Sequence, residues 1–439
     1  MSSKLTPQVW ARLDADQQAR LLARPEQSRD PRLRDAVTRI LEQVAADGDL
    51  ALRALTRRFD GCELDALEVS AEEFASAEAE VVRRTKQAID EACGRIEDFH
   101  RAGAPQAYQL ETAPGVRCER MLRPIDPVGL YVPAGSAPLP STAMMLAVPA
   151  RLAGCREIIL CSPPNAEGRV DPVVLVAAKR AGAHRVFKLG GVQAIAAMAL
   201  GTASVPACSK LFGPGNAYVT EAKLQVSLRA AGPAIDMPAG PSEVLVVADD
   251  SADPSFVAAD LLSQAEHGAD SQAILLTDCA ALAEQVSAAI ERQVSELGRQ
   301  EILAAALKYA RIIVLESLEE ALSLANRYAP EHLILNIKDA RSWLDRVQSA
   351  GSVFLGPYSA EALGDYCSGT NHVLPTYGAA RAYSGVSVAS FLKQITVQEV
   401  SAEGLRRIGP CAEHLARCEG LLAHEAAVSR RLQSLEIGA

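Results

Sequence analysis

The ten cysteines at positions 62, 93, 118, 155, 161, 208, 279, 367, 411 and 418 include no C-x-x-C pair and none of the regular spacing of a disulfide framework. Reduced thiols in a cytoplasmic protein are therefore expected. No stretch reaches the roughly 18 apolar residues that would span a bilayer, and the opening Met-Ser-Ser-Lys-Leu-Thr-Pro is not followed by the hydrophobic run of a signal peptide. A membrane role is not expected. Positive charge is also scarce: 44 Lys and Arg stand against 54 Asp and Glu, for a formal charge of -10. That balance argues against a nucleic-acid partner and for a small-molecule substrate. The dinucleotide fingerprint G-x-G-x-x-G is missing as well.

What is present is an ordinary globular composition, with 49% hydrophobic and 22% charged residues over 439 positions. That length predicts two or three folding units. Residues from 32 to about 102 have a helical pattern, in which Ser70 and Glu73 form a capping box. From about 157 the rhythm changes. Short β-branched runs begin at Glu157, Arg185, Glu243, Gln272, Arg311 and His332, separated by helical segments. Continuous apolar strands alternating with helices predict an α/β fold with a largely parallel sheet. The similar passages Ala181–Phe187 and Tyr309–Val314 suggest a sheet built twice from related units. After about 385 the strand pattern stops, and a charged helical tail starts near Ser401, with Gly409 and Pro410 expected to break it into two short helices.

Several segments could carry chemistry. In Arg327–Leu333 a carboxylate, Glu331, stands beside an imidazole, His332, at the start of an apolar run. Pro330 fixes its own φ and is expected to push Ala329 into an extended conformation, which suits a base that must stay in place. Two glycine turns follow. Gly190 and Gly191 lead from a strand through Gln193 into a helix from Ala194 to Leu200, and Gly213 and Gly215 lead into Asn216, a good N-cap. Free backbone N–H groups there would suit a phosphate or nucleotide, although either turn alone is equally compatible with plain loop geometry. Gln264 and His267 lie three apart on a predicted helix closed by Gly268, a spacing open to two metal ligands or to a polar helix end. Asp365 sits in a stretch of small residues read as a loop. Glu419 and His424 are five apart, and Gly420 would have to interrupt their helix for both to face one site. Of the seven histidines, His100, His184 and His414 read as structural, and His372 is left open.

The segment from Ile235 to Glu243 and on to His267 resembles the signature of the histidinol dehydrogenase family. The likeness extends to Tyr131 in the Gly129–Gly135 turn, to both glycine turns, and to the Arg327–Leu333, Asp365 and Glu419–His424 segments. The resemblance implies two Rossmann-like (aldehyde-dehydrogenase-like) sheet domains with an α-rich N-terminal region and a small helical C-terminal appendage. The expected boundaries are 1–130 with 238–385 for the main domain, 131–237 for a second, NAD-binding domain, and 386–439 for the appendage at a dimer interface. It further implies a cytoplasmic zinc enzyme that oxidises L-histidinol to L-histidine through the aldehyde, reducing two NAD⁺.

Carried over by position, Gln264, His267, Asp365 and His424 would hold zinc. The same four residues, with Ser242, His332 and Glu419, would contact substrate, and Tyr131, Gln193 and Asn216 would contact NAD. Glu331 and His332 would be catalytic, and Glu419 and His424 would arrive from the partner of a homodimer. An alcohol releases hydride readily only as its proton leaves, so a positioned base such as His332 fits, and Glu331 could activate the water that hydrates the aldehyde. Three other readings stand beside it: a metallohydrolase using the same zinc cluster with Glu331 as base, an aldehyde dehydrogenase with a cysteine nucleophile, and a nucleotide-binding module without catalysis.

Overall fold

A computed structural model describes residues 5–25, 31–134, 137–237 and 240–437. Pro238 and Ala239 of the signature segment, Gly135 of the Tyr131 turn and the first four residues lie outside it. The chain divides into two compact units, Met1–Gly103 with Asp126–Ser390, and Ala104–Ile125 with Phe391–Ala439.

The first unit holds two parallel sheets. In the six-stranded one the order is Gln8–Val9, Arg311–Val314, Gln272–Thr277, Glu243–Ala248, His332–Asn336, Ser352–Leu355. Both faces of this sheet are covered. Val244, Val246 and Ala248 enter one apolar cluster, while Leu245 and Val247 enter another, so the strand reads as unbroken hydrophobic sequence and not as an alternation. Emptying such a site, as in Leu245→Ala, costs about 2–5 kcal/mol. The five-stranded sheet runs Arg185–Lys188, Ile158–Ser162, Val128–Tyr131, Lys210–Phe212, Ala234–Ile235. The helices Pro31–Asp47 and Asp49–Phe59 and the helix after Gly190 pack on it through Val37, Leu41, Leu52, Leu55, Phe187 and Ile195. The Ser70–Glu73 capping box forms as expected.

The second unit departs from expectation. The tail is not purely helical: Leu392–Val400 is a strand, paired antiparallel with Val116–Pro124, which in turn pairs with Tyr108–Ala113. Most of Leu392–Val400 is exposed, so it lacks the apolar run that marks the other strands. Nor does Pro410 break the tail, because helix Ala402–Cys418 runs through it. Gly409 lets the following helix, Leu422–Ile437, approach so closely that a Cβ there would meet Leu432 at 3.0 Å. This packing offsets the lost backbone hydrogen bond. The interruption falls instead at Gly420, whose φ of +73° ends the helix.

Candidate active site

Strands Glu243–Ala248 and His332–Asn336 are neighbours, with His332 opposite Val244, so their first residues share one edge of the six-stranded sheet. There the His332 ring lies buried, its Nδ1 3.2 Å from the Glu243 carbonyl. A carbonyl can only accept, so the proton sits on Nδ1 and the Nε2 lone pair is left free. Nε2 has no hydrogen-bond partner among the described residues and stands 3.7 Å from Asp365. Burial pushes the His332 pKa down to about 4, with Asp365 opposing. The ring is a neutral base at physiological pH.

Glu331 is buried too, and its Oε2 accepts the Glu243 N–H at 2.9 Å. Burial raises its pKa well above the carboxyl range, and the Glu243 N–H works against that. The backbone before it differs from expectation. Ala329 is left-handed, at φ 56° and ψ 68°, because it caps helix Leu318–Tyr328 by donating to the Ala325 carbonyl. Proline disfavours only the right-handed helical region for its predecessor strongly, so the cap decides which alternative is taken. Glu243, which touches both catalytic candidates through its backbone, is itself held. Arg24 donates to its carboxylate at 2.6 and 2.9 Å while stacked 3.9 Å from the Tyr328 ring, whose hydroxyl donates to Glu243 at 3.0 Å.

Gln264 is fully buried near the end of helix Pro254–Ala265. His267 lies just beyond that end and not on the helix, its N–H donating to the Gln264 carbonyl in a tight turn. Its Nδ1 meets the Ser263 carbonyl at 2.9 Å, which leaves Nε2 facing Asp365 at 3.7 Å. Burial lowers the His267 pKa, but Asp365 and the Ser263 carbonyl outweigh it and the net shift is upward. Asp365 is not in a loop: it belongs to the short helix Glu361–Tyr366. Burial raises its pKa, and His267, His332 and His372 together overcome this and lower it, so it stays anionic.

That helix also brings in Glu361, which sequence reasoning missed. Donor atoms of His267, Glu361 and Asp365 all lie within 4.8 Å of one another. A carboxylate–imidazole set with a buried glutamine beside it suits a divalent cation such as zinc.

Ser242, His267, Glu331, His332, Asp365 and His372 line a single cavity of about 150 Å³, and Gly213 and Pro214 line it too. His372, left open by the sequence, meets Thr142 Oγ1 at 3.3 Å on that wall. The chain belongs to the histidinol dehydrogenase family. The model of that family matches residues 22–432. The histidinol dehydrogenase of Xanthomonas axonopodis pv. citri is 60% identical over 96% of this chain and 98% of its own length. That of Xylella fastidiosa is 60% identical over 97% and 98%. The crystal structure of histidinol dehydrogenase from Elizabethkingia anophelis superposes with a TM-score of 0.95 at 47% identity, covering 99% of both chains. Membership in the histidinol dehydrogenase family makes this chain an oxidoreductase and fixes its parallel α/β architecture.

The residues assigned to NAD sit where the strands of the five-stranded sheet end. Tyr131 closes Val128–Tyr131, and the two glycine turns follow Arg185–Lys188 and Lys210–Phe212. Carboxyl ends of parallel strands are where open α/β sheets hold ligands. The Gly191 N–H is not free, contrary to expectation: it donates to the Tyr131 hydroxyl at 3.0 Å. Burial pushes that phenol up to about 12. The helix also starts earlier than expected, at Gly191, with Gln193 in its first turn donating to Asp60 at 3.3 Å. Asn216 caps its helix by accepting from the Tyr218 and Val219 N–H groups. In the second unit, Glu419 caps helix Ala402–Cys418 and His424 lies in the first turn of helix Leu422–Ile437, both exposed.

Proposed function

We propose that this enzyme oxidises L-histidinol to L-histidine through L-histidinaldehyde, the last step of histidine biosynthesis, with two NAD⁺ and one zinc ion. The observation that carries the reading is the buried His332 Nε2, without a hydrogen-bond partner among the described residues, lining the same cavity as His267 and Asp365. Gln264, His267 and Asp365 fit zinc by donor type, and His332 Nε2 and Glu361 Oε2 close by have no partner among the described residues. His424 is assigned as the fourth protein ligand, and Glu419 as a substrate contact, both from the partner in a homodimer. When bound, zinc would supply Lewis-acid polarisation of the substrate, and NAD⁺ would accept hydride.

The geometry supports the following roles for the protein's own residues. His332 Nε2 takes the hydroxyl proton as the carbinol C–H leaves as hydride, giving the aldehyde. Glu331, whose raised pKa makes its ionised carboxylate a stronger base than an ordinary one, takes a proton from water as the oxygen adds to the aldehyde carbon, while His332 returns the proton it holds to the aldehyde oxygen, which completes the hydrate and frees Nε2 again. The resulting hydrate loses its hydroxyl proton to His332 and its second hydride to a fresh nicotinamide, leaving the carboxylic acid. Ser242, His372 and the buried walls hold the aldehyde away from bulk water. No cysteine lines the cavity among the described residues, so a thiohemiacetal has no support. Tyr131, Gln193 and Asn216 are assigned to the cofactor and the cytoplasm to the enzyme, and no helix among the described residues is long and apolar enough to cross a membrane.

The test is stoichiometric. Purified enzyme given L-histidinol should form two reduced nicotinamides for each L-histidine. A ratio of one with aldehyde accumulating, or hydrolysis without nicotinamide reduction, would overturn the reading.

A further inference from the structure

Glu361 has no part in the reading above, yet it is 1% exposed at the heart of the site. It opens helix Glu361–Tyr366 four positions before Asp365, so both carboxylates lie on one helical face. Its Oε1 is 3.7 Å from His332 Nδ1. Gln264, fully buried on helix Pro254–Ala265, packs beside it. Assigned so that its nitrogen meets acceptors, the Gln264 amide donates to Glu361 Oε1 at 3.1 Å and to the Glu243 carbonyl at 3.3 Å.

The chemistry of an amide makes that arrangement consequential. Only its oxygen has a lone pair to offer a cation, because the nitrogen lone pair is delocalised into the carbonyl. A buried glutamine can therefore serve a metal in one of its two orientations, and something must exclude the other. Two acceptors on the nitrogen side do so, since the reversed amide would point its oxygen at a carboxylate and a carbonyl. The Glu243 carbonyl is shared with His332 Nδ1, whereas Glu361 Oε1 makes the shorter of the two contacts with the Gln264 nitrogen.

We propose that Glu361 is a positioning residue for the metal centre, holding the Gln264 nitrogen so that the amide oxygen is the atom presented to the cation bound by His267 and Asp365. The inference rests on the zinc reading above. Direct ligation by Glu361 is the competing role, because its Oε2 has no partner among the described residues. The contact to the Gln264 nitrogen uses Oε1, so the competing role falls to Oε2 alone, and the two roles differ in what they require of Glu361.

Metal affinity separates the two. Metal-free enzyme is titrated with Zn²⁺ against a chromophoric chelator, for the wild type, Glu361→Gln, Glu361→Leu, Gln264→Ala and the double variant Gln264→Ala with Glu361→Leu. Thermal melts of the metal-free forms check folding. Glu361→Gln keeps an acceptor for the Gln264 amide and should bind within about threefold of wild type, whereas Glu361→Leu should bind about 10–100-fold more weakly. In the Gln264→Ala background Glu361→Leu should cost nothing further, since its effect passes through Gln264. Glu361→Gln as weak as Glu361→Leu, or full additivity in the double variant, would establish a direct ligand and overturn the proposal. Should the leucine variants fail to fold, Glu361→Gln alone still decides: a loss of tenfold or more overturns it. A wild-type enzyme that binds no divalent ion would fail the zinc reading itself, a result distinct from either of these.

Discussion

His332 can act as a base only while its ring is neutral and Nε2 is bare, and its surroundings arrange both: the Glu243 carbonyl fixes the tautomer and burial depresses the pKa to about 4. The sign of the resulting linkage is definite. A folded pKa below the ordinary 6.5 means that the unfolded chain binds the extra proton first, so stability from this group is present above about pH 6.5 and is lost as pH falls toward 4. For the metal-free protein the loss is on the order of 3 kcal/mol. His332→Leu should remove that dependence in denaturant titrations across this window, and should lower kcat by about 10²–10⁴-fold. Asp60 carries the opposite sign. Burial raises its pKa to about 6, against Gln193, so it destabilises increasingly as pH rises from about 4 to 6. Asp60→Asn should stabilise the protein at pH 7 by about 1 kcal/mol, allowing for its partial exposure, and by nothing at pH 4. A gain of equal size at both pH values would refute this.

At the level of elements, the legible parts are those whose burial is two-sided. All six apolar runs beginning between Glu157 and His332 form parallel strands, because a strand covered on both faces has no polar positions to blur it. Strand Leu392–Val400 escaped notice for the converse reason, being mostly exposed. Helix Glu361–Tyr366 is only six residues long and contains Gly364, too short for a helical period to show, so Asp365 read as a loop residue and Glu361 as nothing at all. Its role depends on Gln264 and His332, which are near it only after folding. Gly420 was legible because Glu419 and His424, five positions apart, could face one site only if the helix stopped between them. Its φ of +73° lies where a side chain is strained, and a Cβ there would meet nothing within 4 Å. Gly420→Ala should therefore destabilise by about 1 kcal/mol through backbone strain alone, and Gly420→Asn by less, since asparagine tolerates this region better. Thermal melts of the two variants would check the order.

For the whole molecule, the active site is proposed to be assembled from two chains, with Glu331, His332, His267 and Asp365 from one subunit and Glu419 and His424 from the other. A symmetric dimer built this way has two identical sites, each needing both chains. The consequence is complementation between inactive variants. His332→Ala alone and His424→Ala alone should each be nearly inactive. When equal amounts are unfolded together, refolded with zinc and allowed to pair at random, half the dimers are mixed. In each mixed dimer one site combines the intact His332 of one subunit with the intact His424 of the other, while the second site carries both defects. Activity should therefore recover to about a quarter of wild type. If all of these residues came from the same chain, every site in every dimer would retain one defect and no activity would return, so a mixture as inactive as its components would refute the two-chain site while leaving the chemistry at His332 untouched.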